Sequence, residues 1–528
     1  MATSTSPSCA SAKFSDGESA THGFHPSPHD PSDEISLIHR ERERLRVLTQ
    51  EIDEQNVAML SRLNTLQSAT RSLPFETLSR IFQFVLPPIA FLKSGHLDTL
   101  EEELFSPVTL SSVCALWRQL AFSTPYLWCR LALTIHPDTM SLQLELIQHY
   151  FHHAGKLPIT LGLTASAELG PIDDLTEQDC QAFTELNQFI FAQNHSRIRW
   201  LALRNPVREW LEFVPTLSQL EAFHVDEGPY QRTTETATRL ELPQRVNTLF
   251  LFQTAESFDL VYPAEEITIL HLHRVEFSIC ITMLASCPRL QEYTIRSPIG
   301  PPDSDFAPPK TPLHLSHMKK FAWTNCPGTI NKEVLQKINL PSLQSLHWRG
   351  RSSSKLTSEL RRLFAFLKRL PERLESLTLE FLYSYDQEDV DASLKTLFTE
   401  PPFINHLRHI AIQNSPSILY SPFIRLLIPS WATSDGVVHL PNLQSLHMSN
   451  PKSQVAASDN VAPYVLDMLE RRIPNVQDAQ NPLKFRFHMM LEDVPANFTS
   501  RAREKLKNMV ENGLILEVKT RGKRINWL

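Results

Sequence analysis

Apolar residues along the chain first fall into order at Ile38, Leu45, Ile52, Met59 and Leu66, a strict seven-residue period with Leu48 and Leu63 beside the stripe. From Asp33 to about Arg71 there is no Gly or Pro, and seven acidic and six basic residues surround the stripe. Asp33 suits an N-cap. The pattern predicts one long helix over 33–71 with a one-sided apolar seam. A second heptad position holds Gln55 and Arg62. The expectation is therefore an amphipathic helix lying on the next domain, with a short, dimeric coiled coil through 33–71 as the alternative.

A different rhythm follows over 73–131. Leu73-Pro74-Phe75-Glu76 opens a helix that places Leu78, Ile81, Phe82, Val85 and Leu86 on one face, and Pro87-Pro88 stops it. Ser106-Pro107 starts a second helix carrying Leu110, Val113, Cys114, Trp117, Leu120 and Ala121 on one face. Thr124-Pro125 begins a short third turn with Leu127, Trp128 and Leu131.

Beyond residue 150 the unit apolar-x-x-apolar-x-apolar recurs. It appears at Ile198/Leu201/Leu203, Leu220/Phe223/Val225, Val246/Leu249/Leu251, Ile267/Leu270/Leu272 and Leu290/Tyr293/Ile295. It continues at Met318/Phe321/Trp323, Leu343/Leu346/Trp348, Leu374/Leu377/Leu379, Leu407/Ile410/Ile412 and Leu443/Leu446/Met448. Each unit buries alternate side chains of a short strand and needs its neighbours to close a core. Intervals run from 21 to 36 residues, so the later units carry longer helices or loops, 354–370 reading as one such helix. A helix ending near Asn512-Gly513 and a strand from Leu514 to Val518 close the array. The competing expectation is a mixed α/β domain with scattered strands.

Two resemblances are carried by these residues. Leu73-Pro74-Phe75-Glu76, Val113-Cys114-Ala115-Leu116-Trp117-Arg118 and Ser123-Thr124-Pro125-Tyr126-Leu127-Trp128 stand in the order of the F-box pattern of fungal proteins, which this segment resembles. The likeness covers about 59 residues, roughly a ninth of the chain. It departs from the family in a long spacer, 87–112, that includes Glu101-Glu102-Glu103. The later units look like an irregular leucine-rich repeat. The predicted fold class is thus α+β or α/β: a tail over 1–32, a long helix over 33–71, a helical F-box over 72–132 and a repeat-like α/β solenoid over 150–528.

Composition narrows the function. Lys+Arg is 51 against 58 Asp+Glu, net −7, which argues against a globally basic nucleic-acid or membrane-surface binder. Residues 1–31 hold sixteen Ser, Thr, Pro and Gly and predict a disordered tail. With 13 glycines, none closer than Gly17 and Gly23, no phosphate-cradling or nucleophile-elbow glycine motif exists. The cysteines Cys9, Cys114, Cys129, Cys180, Cys280, Cys287 and Cys326 include no C-x-x-C, which suits reduced thiols. No apolar run reaches the roughly 20 residues of a membrane span, so the expectation is a soluble cytoplasmic or nuclear protein. Eight Lys/Arg and three acids between Arg501 and Arg524 make a short basic end, read as a nuclear address or a solvated terminus and weak evidence for nucleic acid.

The search for chemistry finds no convergent nucleophile, base and orienter. His149, His152 and His153 share a helix face and read as solvated surface. His224, His271, His347 and His447 occupy equivalent outward positions in units two, four, seven and ten. Strands about 4.7–4.9 Å apart keep these rings too far from one another to share a metal. No catalytic residue, cofactor or metal is expected, and the chain reads as no enzyme.

The outward positions in order are Ala202, His224, Phe250, His271, Thr294, Ala322, His347, Thr378, Ala411 and His447. Phe250 and Phe252 beside His271 and His273 predict an exposed aromatic patch, the candidate substrate-binding site. Burial of that patch under a loop or the C-terminal segment is the alternative. The F-box resemblance implies an adaptor-binding set drawn from Leu73, Pro74, Leu78, Ile81, Phe82, Val113, Trp117 and Trp128. It implies a substrate receptor of a cullin–RING ubiquitin ligase that docks a Skp-type adaptor, and through it a cullin, while the repeats hold a target protein. A non-ligase scaffold that uses the hairpin only for protein binding is the alternative.

Overall fold

A computed structural model describes residues 31–67, 69–85, 107–169, 176–228, 238–253, 258–299, 309–325, 329–350, 356–381, 390–400, 402–415, 419–428, 440–450, 462–472, 485–491, 498–520 and 523–524. Residues 1–30 of the predicted tail, the core of the long spacer with Glu101-Glu102-Glu103, and Leu86 of the first helix face lie outside the described residues; the tail's last two positions, Pro31 and Ser32, belong to the long helix.

The long helix forms, as Pro31–Gln67, with the proline in the first turn where its missing N–H is harmless. Its seam does not lie on another element. Every described side chain from Glu34 to Leu60 is exposed, and Ile38, Leu45, Ile52 and Met59 are 56–68% exposed.

Three short helices follow: Phe75–Val85, Pro107–Val113 and Ala115–Phe122, then the turn Pro125–Trp128. The expected single second helix is two. Cys114 adopts extended backbone (φ −159°, ψ 170°), and its Sγ caps the next helix by accepting from the Trp117 N–H at 3.5 Å. The break swings Val113 outward, to 53% exposure, while Leu110, Leu120 and Ala121 stay in the core.

Fifteen described strands form one sheet, from Arg130–Ile135 to Lys523–Arg524, each beside the next. Only the short pairs Thr238–Glu241 with Phe258–Val261 and Leu313–His314 with Ile338–Asn339 stand apart. Pairing is parallel until the last strand, which turns back antiparallel on Ile515–Thr520. Consecutive parallel neighbours joined by helices are the mark of a solenoid-like α/β stack, and that is the architecture here.

The ten sequence units fall in register. Leu201, Phe223, Leu249, Leu270, Tyr293, Phe321, Leu346, Leu377, Ile410 and Leu446 are partners from strand to strand. All thirty apolar unit positions are 6% exposed or less. The sheet starts upstream of residue 150, with Arg130–Ile135, takes in Ile159–Ala165 ahead of the first unit, and gains Arg486–Leu491, a strand the pattern did not reveal.

Strand ends share a device. Asn205, Gln253, Arg274, Ser297 and Asn414 have φ between 45° and 56°, unusual for residues with a side chain. Their conformation lets the N–H of Asn205, Gln253, Arg274 and Asn414 reach the next strand's Asp226, His273, Arg296 and Ser449 carbonyls at 2.7–2.9 Å. The hydrogen bond to the neighbouring unit offsets a strain on the order of 1 kcal/mol.

The larger later intervals are filled by helices, Leu356–Leu367, Val390–Thr399 and Tyr420–Leu426, which pack on one another in sequence. They cover the core-facing side, where Phe366 meets Trp348 and Phe321 at 5.8 and 6.1 Å. The opposite side of the strands carries the outward row.

Candidate protein-binding surfaces

Two faces carry the residues singled out by the sequence. On the helical unit the eight predicted residues divide. Leu78, Phe82 and Trp128 are 3%, 1% and 0% exposed and form the unit's own core, so none of the three is available to a partner. Trp128 is locked from both ends: its indole N–H donates to the Ala121 carbonyl at 2.8 Å, and its ring meets Tyr150 at 5.0 Å. Trp117 is half-buried, edge-on to Phe82 at 4.8 Å, with its N–H directed to Thr70 Oγ1 at 3.3 Å.

Leu73, Pro74, Ile81 and Val113 remain at the surface. Also exposed on the helical unit are Phe75, Phe84, Val85, Val108, Leu116 and Tyr126, which the sequence reading did not select. Phe84 is the extreme case at 77% exposure, touched by the Arg80 guanidinium 5.5 Å from its ring. Ile81, Phe84 and Val85 stand at i, i+3 and i+4, one helix face. That spacing was the available signal. It was hidden because Phe82, next to it, belongs to the inward face.

His149 and His153 are not the solvated pair expected. His153 stacks on Phe122 at 4.7 Å, and His149 meets Trp128 at 5.0 Å, so the helix Met140–His153 is pinned to the helical unit. Burial, then the neighbouring His149 and His152, lowers the His153 pKa.

On the strand face the predicted outward row is continuous. His224 pairs with Phe250, Phe250 with His271, His271 with Thr294, and the row runs on through His447 to His488 and Glu517. Phe250 and Phe252 point outward as expected, yet they are only 6% and 4% exposed. This corrects the expected exposed patch. Their faces are covered by neighbouring rings: His224 lies 5.7 Å from Phe250 and 4.8 Å from Phe252, and His271 and His273 lie 4.6 and 5.1 Å away on the other side. Burial, then His271 and Arg204, pushes His224 down to about 3. It is a neutral ring in an aromatic stack.

Beyond the stack the face becomes charged. Glu292 accepts from His271 at 3.3 Å and Lys320 at 2.9 Å, and these contacts, His271 foremost, pull its pKa down to about 2 against the effect of burial. Glu380 is 2% exposed. Burial would raise its carboxyl, but His347 at 3.2 Å, Arg349 at 2.7 Å through both Nε and Nη2, and Asn414 at 2.9 Å hold it well below the carboxylate range. A cleft of about 210 Å³ beside Glu292 is lined by Phe250, Phe252, His271, His273, Arg296 and Lys320. Arg296 is half-buried there, which, with Arg349 nearby, lowers its pKa.

The histidines considered for a metal are spread along the row as expected, except that His447 gains an unforeseen neighbour, His488, with Nδ1 atoms 2.5 Å apart. Among the described residues no group of three or more His, Cys, Asp or Glu could hold a metal ion, and no helix is long and apolar enough to cross a membrane.

The two faces belong to an α/β solenoid-like stack with a helical unit at its N-terminal side. No protein-family model matches the chain, and no curated protein does. Among solved structures, the crystal structure of the Rad7 and Elc1 complex in yeast aligns over 91% of this chain and 91% of its own, at 11% identity and a TM-score of 0.32, a likeness too loose to carry an argument.

Proposed function

We propose that the chain is the substrate-recognition subunit of an SCF-type cullin–RING ubiquitin ligase. The F-box-like helices dock a Skp-type adaptor, and through it a cullin, and the strand face binds a target protein. The observation that carries this reading is the apolar face of Ile81, Phe84 and Val85, exposed on a unit whose core is already closed by Leu78, Phe82, Leu120 and Trp128. A clustered apolar face of that kind marks a partner site. The three motif segments in F-box order add the resemblance to that physical argument.

On this reading the chain is no enzyme. It raises the local concentration of target lysines near a ubiquitin-conjugating enzyme carried by other subunits, in the cytosol or nucleus. The cleft beside Phe250, Phe252, His271 and His273 is the site assigned to the target.

The test is co-purification of the tagged full chain with adaptor and cullin. Phe84→Asp and Ile81→Asp leave the unit's core intact and are expected to cut adaptor recovery at least tenfold without changing the melting temperature. Undiminished recovery, or none with the unaltered chain, removes the ligase reading and leaves the non-ligase scaffold.

A further inference from the structure

We infer that the helix Pro31–Gln67 pairs with the same helix of a second copy of this chain, as a parallel, in-register coiled coil over residues 35–66.

The helix has 37 residues and, from Glu34 to Leu60, no buried side chain. A helix of that length draws most of its stability from packing an apolar face. Its own surface pairs supply little: Arg44–Glu41 and Arg46–Glu43 are 3.8 and 3.9 Å apart, and both are largely exposed. The unsatisfied seam therefore calls for a partner helix.

The seam has the composition of a self-pairing one. With Ile38, Leu45, Ile52, Met59 and Leu66 at heptad position d, position a holds Ile35, Arg42, Thr49, Asn56 and Leu63. Position d is apolar throughout, over about 42 Å at 1.5 Å per residue. The polar a positions are of the tolerated kinds. The Thr49 hydroxyl already donates to the Leu45 carbonyl at 2.8 Å, so it enters a seam satisfied. Arg42 can lay its methylenes along the seam and keep its charge in water. Asn56 is the deciding residue: a single buried asparagine is satisfied only opposite itself, which fixes parallel orientation and register.

Flanking charges agree with that register. In a parallel pair, position g of one helix faces position e of the next heptad on its partner. This sets Glu41 against Arg46, and Glu34 against His39, with no like-charged pair among these flanking contacts. Residues 1–30 are a poor alternative cover, since they contain no Leu, Ile or Val.

Sedimentation equilibrium of the full chain at micromolar concentration tests this. The unaltered chain is expected at twice its 60.4 kDa mass, and Ile52→Asp at the single mass with an unchanged melting temperature. Met59→Cys places a thiol at position d, and mild oxidation should give a disulfide-linked dimer absent from the unaltered chain treated alike. A monomeric unaltered chain, or a dimer that survives Ile52→Asp, overturns the inference. A monomer in which Ile52→Asp lowers the melting temperature overturns it too, because the chain then covers its own seam. A dimer in which Met59→Cys gives no cross-link overturns the parallel, in-register pairing. None of these readouts involves the adaptor, so they stand or fall separately from the ligase reading.

Discussion

Phe250 lies nearly flat on His271, ring centroids 4.6 Å apart and planes 17° from parallel. The two residues are direct partners across neighbouring strands, so the contact is set by the sheet's own register. With His224 on the far side, Phe250 is the middle of a three-ring stack that runs across the strands. The stack explains how outward phenylalanines persist in water: each ring hides its neighbour, and only the edge of the stack faces the cleft.

It follows that Phe250 has a structural role as well as any binding role. Phe250→Ala should lower the unfolding free energy by about 3 kcal/mol, the low end for truncating a buried phenylalanine. Phe250→Tyr keeps the stack and should leave stability within about 1 kcal/mol. Urea denaturation separates the two. An unaffected Phe250→Ala variant would show that the stack contributes nothing to folding.

Gly350 is the strand partner of Phe381, and a Cβ built on it would lie 2.6 Å from the Phe381 ring. Gly350→Ala should therefore destabilise by about 1–3 kcal/mol through overpacking. The companion change Phe381→Leu should recover part of that loss, as expected of residues in direct contact. Thermal melts of the single and double variants give the coupling.

Much of the solenoid was legible because its signal repeats. A three-position apolar unit leaves one strand register, and ten copies agree on it, so Tyr293 and Phe321 could be paired from sequence alone. Strands lacking the full unit were not legible: Arg486–Leu491 reads Arg-Phe-His-Met-Met-Leu and only the sheet beside it makes it a strand. Nor was the polar cluster behind the sheet, where Trp323 donates to Asn331 at 3.2 Å and Asn331, Asn325 and Glu359 bond in turn, all buried. Such partners are set by tertiary contact, and no local spacing announces them. The exposed apolar face of the helical unit was half legible for a related reason. An amphipathic pattern shows that Phe82 and Ile81 are apolar, but which of them faces inward depends on the helix packed against it.

Cys114 caps the helix Ala115–Phe122 with a weak acceptor, its sulfur 3.5 Å from the Trp117 N–H. A hydroxyl is a better N-cap at that site. Cys114→Ser should raise stability by about 0.5 kcal/mol and Cys114→Ala should lower it, both read from chemical denaturation. The reverse order would show that the Sγ contact is not a cap.

The last prediction concerns acid. Two histidines, His224 buried and His447 partly buried, have lowered pKa values, His224 at about 3 and His447 at about 4, each first because of burial and next because of a neighbouring histidine, His271 and His488 respectively. In the unfolded chain both return to about 6.5. Between pH 4 and 6.5 the unfolded state therefore binds more protons than the folded one, and stability must rise with pH across that window. The stability these rings contribute is complete above pH 6.5 and is lost on acidification, as far as about 4 for His447 and about 3 for His224. Glu292 and Glu380 act with the same sign but lower down: their depressed pKa values stabilise above the ordinary carboxylate range and fail only as pH drops through it. Unfolding near pH 5 should thus take up about two protons beyond what the other groups account for. His224→Phe keeps an aromatic ring in the stack with Phe250 and Phe252 and removes one of those protons. The slope of unfolding free energy against pH, measured by urea titrations between about pH 5 and 7, should fall by about one proton's worth in that variant. An unchanged slope would mean that His224 is not held neutral in the folded chain.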